Sequence, residues 1–226
     1  MFDNDAIARL RDQHGETLQQ VVAVEQNLVR RFYGMDKTIR CMMLASLTGE
    51  PMVLLGPPGT AKSRLIRSYA HLLGLVGDDA LSISSEADAE KNLGEAYFEY
   101  LLTQFTEPSE LFGFYDLAKL FGEEKTFERA QKNMMQKAHV VFLDEVFNAS
   151  SAILNALLTF MNERKFHDRG KIQKVPMRLL FGASNHTPRE EGLGAFYDRF
   201  LLRSRVANVA AEPEKLADLV GAAWQE

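Results

Sequence analysis

Residues 56–63 read Gly-Pro-Pro-Gly-Thr-Ala-Lys-Ser. Two glycines, a lysine and a hydroxyl at this spacing can hold a polyphosphate. Gly56 and Gly59 permit backbone angles that open a concave loop, so that successive N–H groups point inward at phosphate oxygens. Lys62 can set its ammonium between terminal phosphates, and the Ser63 hydroxyl can bind Mg²⁺. The pattern is G-x-x-x-x-G-K-[ST] with Ala61 in place of the second glycine. A Cβ at this position predicts helical or extended angles, with residue 61 already in the first turn of a helix. An ordinary Gly/Pro turn could share the composition, but the length and the strand–helix context favour phosphate binding.

Two more polar clusters close apolar runs. Val140-Val141-Phe142-Leu143 ends in Asp144-Glu145, which reads as a buried parallel strand carrying two carboxylates at its carboxyl end. Asp144 would hold the Mg²⁺ shell, and Glu145 would orient and deprotonate an attacking water. Ser184-Asn185 closes Met177–Ala183, and the neutral amide of Asn185 can hold a water or a terminal phosphate. A turn-forming Asn before Thr187-Pro188 is the bland alternative. His14, His71, His139, His167 and His186 are scattered and form no metal-binding pattern. Cys41, in an apolar helix, reads as packing rather than as a nucleophile.

Elements must position these groups. Apolar residues at Ile7, Leu10, Leu18, Val21, Val22, Leu28 and Val29 predict one or two amphipathic helices over residues 1–30. Residues 37–48 predict another, stopped by Gly49. Strands are predicted over 52–56, 97–105, 139–145 and 177–185, with helices over 62–73 and 149–166, the latter capped by Ser150 or Ser151. Residues 167–174 read as a hairpin tip, and 194–209 as a short helix and a final strand. Strands alternating with helices imply a parallel sheet covered on both faces. The acidic stretch 74–96 reads as a solvated loop.

Composition bounds the class. A chain of 226 residues with 46% apolar residues can bury a core, which excludes a disordered polymer. The lone cysteine excludes an internally disulfide-stapled fold, and no apolar stretch approaches a membrane span. The charged N-terminal sequence lacks the apolar core of a signal peptide, so a cytoplasmic protein is expected. Lys and Arg total 26 against 31 Asp and Glu, so nothing draws the whole protein to nucleic acid. A local basic cluster, Arg164, Lys165, Arg169, Lys171 and Lys174, leaves a nucleic-acid motor as the less favoured alternative.

GPPGTAKS, VVFLDE, GASN and YDRFLLR, in this order, resemble the AAA+ ATPases and, more narrowly, the MoxR family. Residues 98–113, 142–166 and 174–188 are similar to its RavA-like branch. The resemblance covers about residues 25–210 and implies a P-loop NTPase fold: a three-layer α/β core with a parallel five-stranded sheet, an insertion in the second helix near 107–128 and a hairpin near 165–176 before the first sensor. An Ala before the lysine is common in that family.

The resemblance also implies roles. Pro58, Gly59, Thr60, Ala61, Lys62, Ser63 and Arg64 would bind ATP, with Tyr33, Gly34 and Met35 on the adenine side. Ser63 and Asp144 would hold Mg²⁺, Glu145 would serve hydrolysis and Asn185 would be the first sensor. Arg199, with Arg203 as second candidate, would reach a neighbour's ATP as an arginine finger. Phe112, Phe114, Tyr115 and Phe121 would either face a ring pore or pack on a neighbouring helix. The expected protein is a ring-forming ATPase, such as a hexamer, that remodels partner complexes with a von Willebrand factor A-domain protein. A nucleotide-gated adaptor with negligible turnover ranks below it. The expected organisation is a helical segment over 1–30, a core over 31–210, and over 211–226 only the start of a helical lid.

Overall fold

A computed structural model describes residues 4–77, 95–122, 125–188 and 193–208. Most of the acidic segment and the expected start of the lid lie outside the described residues. Helices α1 (Asn4–Arg31) and α2 (Asp36–Thr48) lead into strand β1 (Met52–Leu55), then α3 (Lys62–Leu72). Strand β2 (Tyr97–Leu101) is followed by two short helices, α4 (Pro108–Phe112) and α5 (Leu117–Phe121), and by β3 (Val140–Asp144). Then come α6 (Ser151–Glu163), the hairpin β4 (Lys165–Asp168) and β5 (Lys171–Lys174), β6 (Leu179–Ser184), α7 (Gly194–Tyr197) and β7 (Leu202–Arg205). One helix, not two, spans the N-terminal segment. No helix among the described residues is long and apolar enough to cross a membrane.

Five strands form one sheet in the order β2-β3-β6-β1-β7. All four pairings are parallel. The strands are near-continuous apolar runs because both faces are covered. Alternation divides them between two cores. Val53, Leu55, Val141, Leu143 and Leu180 pack with Ile153, Leu157 and Phe160 of α6. Met52, Leu54, Val140, Phe142 and Phe181 pack with Leu28, Ile39, Leu65 and Ile66 of the first three helices. Asp144 continues the parity of Val140 and Phe142, so its carboxylate lies on the face that α3 covers.

The second strand is shorter than the run 97–105 predicts, because its pairing with β3 stops at Leu101 opposite Asp144. Helix α6 starts at Ser151, with the Ser150 hydroxyl accepting from the Ile153 N–H. The expected insertion is present as α4, α5 and a bridge between Tyr115 and Arg129. Its aromatics divide. Phe112 is buried in the core, whereas Phe114 and Phe121 are 64% and 81% exposed.

Gly56 links β1 to the phosphate-binding loop where the backbone of Val206 passes. A Cβ on Gly56 would lie 2.2 Å from the Val206 carbonyl oxygen. Because that obstacle is backbone, Gly56→Ala is expected to destabilise the protein by about 1–3 kcal/mol, read as a lower midpoint in denaturant unfolding.

Candidate functional site

The strand order brings the polar clusters together. β6 lies between β1 and β3, so Asn185 sits between the loop after β1 and the carboxylates ending β3. Lys62 is buried, and its ammonium donates to the carbonyls of Gly56 (2.7 Å) and Pro57 (3.0 Å) and to Asn185 Oδ1 (3.2 Å). The Asn185 amide Nδ2 donates to Glu145 Oε1. The Ser63 hydroxyl donates to Asp144 Oδ2 at 2.8 Å. The Glu145 backbone N–H donates to Asp144 Oδ1 at 2.9 Å, which fixes the other oxygen of that carboxylate. Five expected residues thus form one hydrogen-bonded assembly: Lys62, Ser63, Asp144, Glu145 and Asn185.

Burial lowers the Lys62 pKa from its ordinary value, and the charges of Asp144 and Glu145 oppose that shift. Pro58 and Gly59 are exposed, and the Thr60 hydroxyl donates to the Pro57 carbonyl at 2.9 Å. Arg64 is exposed on the first turn of α3. Ser63 and Asp144 present only hard oxygen donors, the set that suits Mg²⁺ beside a phosphate.

Ala61 departs from the expectation. Its φ is 58° and its ψ 23°, which is left-handed and outside the helix, and it occupies the N-cap position of α3. The loop is held instead by Lys62, whose ammonium is bonded to the Gly56 and Pro57 carbonyls, and Ala61 takes the angles that join this loop to α3. Glu145 is also left-handed, with φ 50°. The turn begins at the residue whose carboxylate meets Asn185, so the chain leaves β3 while that group stays at the strand end.

A second layer was not visible in the sequence. Arg67, one turn along α3 from Ser63, donates from Nε to both oxygens of Glu99 (3.0 and 2.9 Å) and from Nη2 to Oε1 (2.6 Å). The Tyr97 hydroxyl donates to Glu99 Oε2 at 3.0 Å. The Arg67 and Glu99 side chains are 22% and 10% exposed. The hydrogen bond to Glu99 is the main cause that raises the Arg67 pKa. Burial, reinforced by the charge of Glu99, pushes the Tyr97 phenol well above its usual range. Neither residue belongs to a local motif. An Arg four positions after Ser63 and an acid inside an aromatic strand were the available signals.

The remaining expected residues lie outside the assembly. Tyr33, Gly34 and Met35 form the turn between α1 and α2, with Gly34 at φ 73° and Met35 buried. Helix α2 is tied to β7 by a bond of 2.8 Å between the buried hydroxyls of Thr38 and Ser204. Arg199 and Arg203 follow α7. Phe196 and Phe200, both buried, pack edge-on at 5.5 Å and hold the turn that carries the exposed Arg199. Among the described residues the Arg199 side chain makes no hydrogen bond or ion pair. Arg203 donates to the Phe200 carbonyl (2.8 Å), the Tyr197 carbonyl (3.2 Å) and Asp198 (3.2 Å), and stacks 3.9 Å from the Tyr197 ring centre.

The hairpin cations are partly engaged within the chain. Arg164 donates to the Gly49 carbonyl at 2.8 Å. Arg169 stacks over the rings of Tyr115 and Phe127.

The sequence pattern of the MoxR domain in the MoxR-vWA-beta-propeller ternary systems matches residues 18–81 and 84–226. The chain belongs to the MoxR family. Protein MJ0079 of Methanocaldococcus jannaschii is 38% identical over 194 residues, covering 86% of this chain and 46% of that protein. The chain therefore spans about half the length of this relative. A candidate ATPase from Cytophaga hutchinsonii has a similar structure, with a TM-score of 0.60, 18% identity and coverage of 93% of this chain and 58% of that one. NtrX from Brucella abortus in complex with ADP gives a TM-score of 0.52 and 19% identity, with 97% of this chain and 46% of that one covered. The MoxR domain described here thus has the AAA+ form of the P-loop α/β core.

Glycine adopts left-handed angles without the cost that a Cβ imposes. Ala61→Gly is expected to raise stability by up to about 1 kcal/mol in a thermal melt, with nucleotide binding retained.

Proposed function

We propose that this MoxR domain binds ATP with Mg²⁺ and hydrolyses it, and that it works in a ring, such as a hexamer, to remodel partner complexes. The convergence of Lys62, Asn185 and Glu145 at the ends of three adjacent strands carries this reading. Backbone N–H groups of the loop would face the phosphates, aided by the N-terminus of α3. Lys62 would exchange its loop carbonyls for phosphate oxygens, and Ser63 and Asp144 would hold Mg²⁺. When bound, the ion neutralises charge developing on the transferred phosphoryl group. Glu145 orients the attacking water and takes its proton, and Asn185 keeps Glu145 and Lys62 at a fixed separation. Tyr33, Gly34 and Met35 would border the adenine.

Arg199 is the favoured trans finger. It is exposed on an aromatic-anchored turn, whereas Arg203 is bonded into that turn. A finger from the neighbouring subunit raises turnover by about 10³–10⁵. The partner we propose is a von Willebrand factor A-domain protein, because the matched domain belongs to systems that contain one. Residues 98–113, 142–166 and 174–188 support placement near the RavA-like branch, and a lone Cys41 suits the cytoplasm.

Two experiments test the reading. Glu145→Gln should retain ATP binding, measured by calorimetry, and lose at least about 100-fold in turnover; undiminished hydrolysis would remove Glu145 from this role. Arg199→Ala should also lose turnover. Mixing it with Glu145→Gln subunits should restore part of the rate, because some interfaces then combine an intact Glu145 with an intact Arg199. No recovery on mixing, with assembly verified, would count against shared sites.

A further inference from the structure

Helix α3 and the sheet meet in two polar rungs. The upper is Ser63 with Asp144. The lower, one helical turn along α3, is Arg67 with Glu99. The register makes this stacking regular. Leu101 of β2 lies opposite Asp144, and Glu99 lies opposite Phe142, two residues earlier on the same face. The lower rung is better enclosed than an ordinary surface pair. Its guanidinium makes three contacts with Glu99 at 2.6–3.0 Å, and the Tyr97 hydroxyl occupies a further position on the same carboxylate.

A charge pair placed beneath the Ser63–Asp144 pair puts a positive and a negative charge where water screens them weakly. The hydrogen bond to Glu99 is the main cause that raises the Arg67 pKa, and the charge of Asp144 adds a smaller contribution in the same direction.

We propose that Arg67 and Glu99 are positioning residues that set the Mg²⁺ affinity of the Ser63–Asp144 pair. This rests on the Mg²⁺–ATP reading of the site and extends it to residues with no part in the phosphate-binding motif. The two charges act in opposite directions. Removing the Glu99 charge takes a negative charge from the neighbourhood of the ion and weakens Mg²⁺ binding. Removing the Arg67 charge leaves an extra carboxylate and strengthens it. A purely structural pair would give the same direction for both losses.

The test is a Mg²⁺ titration of the binding of a fluorescent ATP analogue, reading the half-saturating Mg²⁺ concentration, with nucleotide binding in EDTA as reference. Glu99→Gln is expected to raise that concentration by about threefold or more, and Arg67→Met to lower it. Arg67→Lys, which keeps the charge, should stay near wild type. The double variant Arg67→Met with Glu99→Gln has neither charge and should return toward wild type, which keeps the test decisive if Arg67→Met alone does not fold. Equal shifts in the same direction, no shift, or a double variant displaced as far as Glu99→Gln would each overturn the proposal. Wild-type protein that binds nucleotide without any Mg²⁺ dependence would overturn the Mg²⁺ reading itself, an outcome visible before any variant is made.

Discussion

The site depends on three parallel strands ending at one level. β1, β6 and β3 are neighbours, and their register sets Leu55 beside Ser184 and Gly182 beside Leu143. The residues that follow, Gly56, Asn185 and Glu145, therefore emerge along one edge. The Gly56 N–H still donates to the Ser184 carbonyl at 3.1 Å, so the phosphate-binding loop starts from the sheet itself. A slip of one residue in any of these pairings would turn its side chains to the opposite face. The apolar division of the two cores opposes such a slip, because Phe142 and Phe181 would exchange sides with Leu143 and Leu180. Packing thus enforces a geometry that the polar groups alone could not hold.

Asn185 turns this alignment into a connected site. Its amide has two distinct ends, and the middle position of β6 gives each a partner. The oxygen accepts from Lys62, and the nitrogen donates to Glu145. A carboxylate at this position could not donate to Glu145, and a lysine could not accept from Lys62. The neutral amide separates a cation from an anion that would otherwise attract each other directly. This is why a residue weak as a sequence motif is central in the structure.

What was legible in the sequence follows from this logic. Apolar strands ending in polar groups were readable because burial on both faces leaves continuous runs, and the glycines and lysine of residues 56–63 constrain one another locally. The end of β2 was less readable, because Leu102, Thr103 and Phe105 continue the composition of a strand after β3 has stopped pairing. Exposure in the insertion was hidden as well. Phe112 and Phe114 differ by two positions, yet only the fold puts one against Phe166 and leaves the other at the surface. The Arg67–Glu99 pair was hidden most completely, since 32 residues separate its members and neither has a local signature.

The left-handed residues join these strands of argument. A non-glycine residue at positive φ costs about 1–2 kcal/mol, which a fold retains only where its surroundings fix the conformation. Ala61 and Glu145 are two such residues, and each adjoins a group of the site. At Ala61 the turn ends the loop so that α3 starts at Lys62, whose ammonium reaches back to the carbonyls of Gly56 and Pro57. At Glu145 the turn stops the strand from carrying the carboxylate past Asn185, while its N–H caps Asp144. Both departures from the sequence rule fall at boundaries between elements, Ala61 just before α3 and Glu145 just after β3. A conformation easier for either residue would move a charged side chain away from the amide that holds the site together.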